Sequence, residues 1–185
     1  MICDPSIVGE LFKRASSICA IVFDIDGCFT DGHIVYNVKA EETKSFDAHD
    51  GFGIKLAHFA GLETGIISAR DSKAIRHRAN ELNINTLFLG SYEKLDGYQL
   101  LKKKLQLQDN QVCYIGDDLP DIPVLEKVGL PVAVNNATDV VKKSARFMTR
   151  RNGGRGAVRE VVDFVLHVQG KLEDLQKQML EQMRR

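Results

Sequence analysis

The stretch Ile18-Cys19-Ala20-Ile21-Val22-Phe23-Asp24-Ile25-Asp26-Gly27 decides the fold. Its apolar half is continuous rather than alternating, the pattern of a strand buried on both faces of a parallel sheet. Two carboxylates follow at i and i+2, at the carboxyl end of that strand, where open α/β sheets bind ligands. Like charges that close raise each other's pKa unless a cation or proton lies between them. A positive group is therefore expected beside Asp24 and Asp26, and a magnesium ion is the economical candidate.

Outward from this strand, short apolar runs alternate with amphipathic segments. Thr64–Ile67, Thr86–Leu89, Gln111–Ile115 and Val132–Val134 read as strands. Phe52–Phe59, Ser72–Leu82, Leu95–Leu105 and Ile122–Lys127 read as helices between them. That rhythm predicts an α/β fold, a parallel sheet with helices on both faces. Asp4 and Pro5 predict a first helix, cap and first position, ending near Ser17. One interval breaks the rhythm: His33–Asn37 and Thr43–Asp47 alternate around Val38-Lys39-Ala40-Glu41 and predict a projecting β-hairpin. After Gly170, Leu172, Leu175, Met179 and Met183 mark an amphipathic helix whose apolar stripe needs a partner. At 185 residues, one domain is expected over 1–185, with the hairpin at about 32–48 and the tail at about 170–185.

Lys plus Arg and Asp plus Glu balance at 25 each, so charge gives no hint of nucleic acid or membrane. The cations are bunched, however: Lys142, Lys143, Arg146, Arg150, Arg151, Arg155 and Arg159 follow one another without an acid. They form either a solvated surface or a basic rim that attracts a small anion. Cys3, Cys19, Cys28 and Cys113 form no CxxC pair, so neither a zinc site nor a disulfide framework is indicated. The first residues lack the pattern of an export signal, and no apolar run is long enough to span a bilayer. A cytoplasmic protein is the expectation.

The groups at the strand ends form a constellation. Asp24 and Asp26 end the first strand, Ser68 ends the second, and Asp117-Asp118 follow Gly116, with Asp121 a turn further on. Lys94 opens the helix after the third strand. Parallel strands bring all of these to one edge, an assembly suited to a phosphoryl group bridged to Mg²⁺. Asp24 is the candidate nucleophile, forming an aspartyl phosphate. Asp26 is the candidate acid and base for leaving oxygen and water. Asp24, the Asp26 carbonyl and Asp117 are the candidate metal ligands. Ser68 and Lys94 would hold the phosphoryl oxygens. Asp118 and Asp121 have two readings, supporting acids of this site or caps of the next helix.

Asp24-Ile25-Asp26-Gly27, Ser68, Lys94 and Gly116-Asp117-Asp118-Leu119-Pro120-Asp121 resemble the four motifs of the haloacid dehalogenase superfamily of phosphohydrolases. The resemblance narrows at Asp24 through Gly32, Asp50-Gly51-Phe52-Gly53, Ser68-Ala69-Arg70, Arg78 and Gly153-Gly154-Arg155-Gly156-Ala157. These are similar to the 3-deoxy-D-manno-octulosonate 8-phosphate phosphatase family, over about Ile18 to Leu172. The resemblance implies a Rossmann-like domain, Mg²⁺ dependence, a homotetramer and a place in lipopolysaccharide inner-core sugar biosynthesis. It implies sugar-acid contacts from Asp26, Asp47, Ala48, His49, Asp50, Gly51, Lys55, Arg70, Arg78 and Lys94. Ser68-Ala69 stands where the family usually has Thr-Gly, Cys28 replaces an aliphatic residue, and Glu93 stands where Asp is common. The tail beyond Gly170 diverges.

With only a hairpin after Asp31 in place of a cap domain, a neighbouring subunit is expected to close the site, covering Ile34, Tyr36 and Phe46. The other reading folds the hairpin back on its own domain. Arg70 suits a substrate carboxylate and leans the choice to the octulosonate over an acylneuraminate 9-phosphate, the alternative substrate. A phosphoryl-accepting signalling receiver would place its Lys last, whereas Lys94 precedes Asp117. A silent relative acting as an assembly module would have lost one of Asp24, Asp26, Lys94 or Asp117, and all are present.

Overall fold

A computed structural model describes residues 5–184. The cap expected at Asp4 and the thiol of Cys3 lie outside those residues. Helix α1 runs Pro5–Ser16 and leads into β1, Ala20–Phe23, whose side chains are all buried. A projecting ribbon follows, β2 (Val35–Tyr36) paired antiparallel with β3 (Glu42–Thr43), and then α2, Ala48–Phe59. The alternation continues through β4 (Glu63–Ser68), α3 (Lys73–Glu81), β5 (Thr86–Leu89), α4 (Lys94–Leu105) and β6 (Val112–Gly116). It ends with α5 (Ile122–Leu125), β7 (Leu130–Ala133), α6 (Asp139–Ser144), β8 (Phe147–Met148), α7 (Ala157–Val168) and α8 (Leu172–Met183).

Six strands form one parallel sheet in the order β5-β4-β1-β6-β7-β8. From β1 the chain steps outward to β4 and β5, then returns across the sheet to β6, so the strand order reverses beside β1. The crevice outside the carboxyl ends of β4, β1 and β6 is the position where such sheets bind ligands. Helices α1, α2 and α7 pack on one another against one face, and α4, α5 and α6 group on the other. The core gathers around the central strands, with Phe23 wholly buried and its ring centroid 4.9 Å from that of Phe29. Burial of such a ring stabilises by roughly 1.5–3 kcal/mol.

The parallel α/β sheet with helices on both faces is the predicted class, and several elements differ in detail. The ribbon strands are two residues each, because Asn37 closes a tight turn in which its Oδ1 accepts from Lys39 N and Glu41 N at 2.9 and 3.0 Å. Helix α2 begins at Ala48, not Phe52, since the Asp47 carboxylate caps it by accepting from His49 N at 2.6 Å. Helix α7, to which the sequence reading assigns no element, carries Val158, Val161, Val162, Val165 and Leu166 on its buried face. The stripe of α8 finds its partner in the same chain: Leu172, Leu175 and Met179 pack against the core, while Leu180 and Met183 stay exposed. Among the described residues no helix is long and apolar enough to cross a membrane.

Candidate active site

Asp24 leaves β1 into a single wide turn, Ile25–Phe29, closed by the Thr30 N–H donating to the Ile25 carbonyl at 2.9 Å. Gly27 takes φ +92° within it, and a Cβ there would overlap the Asp117 carboxylate. A side chain at position 27 is therefore excluded both by backbone strain and by the acid opposite. From the far side, Gly153 rests on this turn so closely that its own Cβ would strike the Gly27 carbonyl.

Asp121 organises the site from beneath. Its Oδ1 accepts from Lys94 Nζ at 2.6 Å and from the Tyr114 hydroxyl at 2.7 Å. Its Oδ2 accepts from Asp117 N at 2.9 Å and Asp118 N at 3.2 Å. Buried carboxylates need this degree of satisfaction. Lys94 Nζ also lies 3.0 Å from Asp24 Oδ2. Burial alone would favour its neutral form, but Asp24 and Asp121 outweigh burial and hold the ammonium charged. Burial pushes Asp24 up to about 7, with Lys94 opposing and Asp121 adding. Asp117 is likewise pushed up to about 7 by burial and by Asp121.

Such a cluster is short of positive charge. Asp24, Asp117 and Asp121 each offer an oxygen, all within 4.8 Å of one another. Asp24 Oδ1 is buried and has no hydrogen-bond partner among the described residues. An oxygen-rich pocket with an orphaned carboxylate oxygen fits a hard divalent cation. Asp121 already spends both oxygens on hydrogen bonds, which leaves Asp24 and Asp117 as the side chains free to ligate. The Asp26 side chain does not join them. It pairs with Lys44 and faces Arg70 Nε at 3.4 Å, so any ligation from Asp26 falls to its carbonyl. A cleft of about 300 Å³ opens above, lined by Asp24, Asp26, Ser68, Arg70, Tyr92, Lys94, Asp117 and Asp118 among others.

Comparison with known proteins agrees with this geometry. Residues 87–161 match the family model described as haloacid dehalogenase-like hydrolase. The chain is 42% identical to the 3-deoxy-D-manno-octulosonate 8-phosphate phosphatase of Yersinia pestis over 171 residues, 92% of this chain and 91% of the relative. It is 39% identical to the same enzyme of Escherichia coli K12, over 96% of this chain and 95% of the relative. The Moraxella catarrhalis phosphatase, crystallised with magnesium, phosphate and the octulosonate, superposes with a TM-score of 0.90 at 33% identity, covering 92% of this chain and 98% of that one. The chain belongs to the 3-deoxy-D-manno-octulosonate 8-phosphate phosphatase family of haloacid dehalogenase-like hydrolases.

The sugar-acid contacts that the family resemblance implied divide into two groups. Asp26, Arg70 and Lys94 line the cleft. The remainder do not line it within this chain. Asp47, Ala48, His49 and Gly51 form the first turn of α2 and its cap; Lys55 is exposed further along; Arg78 packs over Gly51 and the Phe46 ring, 5.7 Å from its centroid. Asp50 is 0% exposed, and its carboxylate caps α7 by accepting from Gly156 N at 3.1 Å and Arg159 N at 2.8 Å. The two readings of the motif acids also resolve. Asp118 caps the turn at Leu119, accepting from its N–H at 2.8 Å, and its side chain also borders the cleft. Asp121 is the buried hub. None of the seven bunched cations lines the cleft, and Arg155 and Arg159 instead pair with Asp31 and Asp163 at 3.3 and 2.8 Å.

Sequence reasoning missed Lys44, Tyr92 and Tyr114. Lys44 carried a signal: alternation along the ribbon puts Glu42, Lys44 and Phe46 on one side. Phe46 packs on Phe29 of its own chain at 5.4 Å, so that side faces inward, contrary to the expectation that Phe46 awaits a partner.

Proposed function

We propose that this chain hydrolyses 3-deoxy-D-manno-octulosonate 8-phosphate to the sugar acid and inorganic phosphate, supplying the sugar acid for lipopolysaccharide synthesis. The observation that carries the reading is the buried Lys94 ammonium 3.0 Å from an Asp24 carboxylate whose other oxygen has no hydrogen-bond partner among the described residues. Asp24 attacks phosphorus, a P–O bond forms to its oxygen, and the ester P–O bond breaks. Asp26 protonates the departing sugar oxygen, then takes a proton from the water that cleaves the aspartyl phosphate. Ser68, buried at the end of β4, and Lys94 hold the phosphoryl oxygens as charge shifts. Arg70 meets the substrate carboxylate with its fork of donors. Asp24, Asp117 and the Asp26 carbonyl would hold Mg²⁺, which when bound would offset the repulsion between nucleophile and phosphate.

The active form is an oligomer of this chain, a tetramer by family resemblance. The ribbon tip supports this, with Val35 52%, Tyr36 59% and Val38 103% exposed, since such a patch on a lone chain asks for cover. In the oligomer the α2 cap and Arg78 would meet a neighbour's substrate. The unpaired thiols of Cys19, Cys28 and Cys113 suit a reducing cytoplasm, and balanced charge suits a small-molecule substrate. The test is phosphate release across a panel of sugar phosphates. Fastest turnover on the octulosonate ester, abolished by chelator and reduced at least about 10³-fold in Asp24→Asn, is expected. Preference for an acylneuraminate ester would sink the substrate assignment.

A further inference from the structure

Among the described residues at this site, Lys44 has a side chain with no solvent exposure at all. Its side chain is 0% exposed, against 20% for Asp26 and 14% for Glu42, the two carboxylates between which its ammonium sits. A lysine gives up its hydration only where fixed charges replace it. The ribbon stem that carries Lys44 is itself seated, because Phe46 packs on Phe29 at the end of the active-site turn. Lys44 therefore engages Asp26 Oδ1 from a braced position, while Asp26 Oδ2 faces Arg70 and the cleft.

We propose that Lys44 is the positioning residue of the proton-transfer step. By holding Oδ1 of Asp26, it leaves Oδ2 as the oxygen presented to the ester, with the Glu42 carboxylate as the second counter-charge of the ammonium. In the step concerned, the ester P–O bond breaks, its electron pair goes to the sugar oxygen, and the proton on Asp26 Oδ2 moves to that oxygen. Lys44 touches neither phosphate nor sugar; it acts through Asp26. This inference rests on the acid–base reading of Asp26 given above.

The test compares two esters with Mg²⁺ present: the sugar-acid phosphate, whose alkoxide needs a proton to leave, and p-nitrophenyl phosphate, whose leaving group departs without one. Lys44→Met is expected to lower kcat on the sugar ester about 10- to 100-fold and on the aryl ester less than about 3-fold. Since Lys44→Met strands a charge on Glu42, Lys44→Met with Glu42→Gln is measured beside it, and the same selectivity is expected at wild-type thermal stability. Adding Lys44→Met to Asp26→Asn should cost nothing further on the sugar ester. Equal losses on the two esters, or no loss on either, would overturn the role of Lys44 and leave the phosphatase reading intact. Should Asp26→Asn itself fail to discriminate between the esters, the acid–base reading falls and the role of Lys44 falls with it.

Discussion

At Gly153 a single hydrogen in place of a methyl group decides whether the active-site turn closes, because a Cβ would strike the Gly27 carbonyl. Gly153→Ala should destabilise by about 2 kcal/mol, as overpacking does, and should also lower kcat, since the displaced turn carries Asp24 and Asp26. Denaturant melts and steady-state assays check both; an unchanged kcat would show that the turn tolerates the shift. Beneath the site, the partners of Asp121 differ in weight. Tyr114→Phe removes one hydrogen bond and should cost about 1 kcal/mol. Asp121→Asn strips a buried cation of one counter-charge and frees two N–H groups at Asp117 and Asp118, so about 3–5 kcal/mol is expected. The reverse ranking in urea melts would mean that Tyr114, not Asp121, organises the pocket. Asp24, Ser68, Lys94 and Asp117 were legible in the sequence because each sits where a strand ends or a helix begins. Lys44 was legible only in part: alternation sets it beside Glu42 and Phe46 on the inner side of the ribbon, while its pairing with Asp26 is a tertiary contact that local pattern does not encode.

Between elements, Asp50 ties α2 to α7. Burial raises its pKa to about 6 from 3.8, outweighing the N–H bonds from Arg159 and Gly156 that oppose the shift. An acid whose folded pKa exceeds its unfolded value binds more protons when folded, so its contribution falls as pH rises between the two. The fall is on the order of 3 kcal/mol. Asp50→Asn does not titrate, so its stability relative to wild type should climb between about pH 4 and about pH 6 and then level off. Urea melts at several pH values check this, and parallel curves for the two proteins would refute it. The sequence resemblance implied a sugar-acid contact for Asp50 and gave no sign of this cap, because its partners lie more than a hundred residues away, at the start of a helix. The apolar spacing of α7 was itself readable from the chain. Strand β8, two residues at the sheet edge, carried no comparable periodicity.

For the whole molecule, the parallel sheet followed from continuous apolar runs, and the location of the site from where those runs end. In the proposed oligomer a second copy of the chain roofs the cleft. Val38→Asp together with Tyr36→Ser should split the assembly into smaller species by light scattering and raise KM for the sugar-acid ester about tenfold or more, leaving secondary structure unchanged. Unaltered mass would leave the ribbon folded over its own subunit. The claim on which all of this depends is covalent: phosphate passes through Asp24. The most direct measurement quenches the enzyme in acid during turnover, reduces it with borohydride and maps the peptides by mass. Homoserine at position 24 is the predicted result; an unmodified Asp24, or reduction at Asp26 or Asp117 instead, would contradict it.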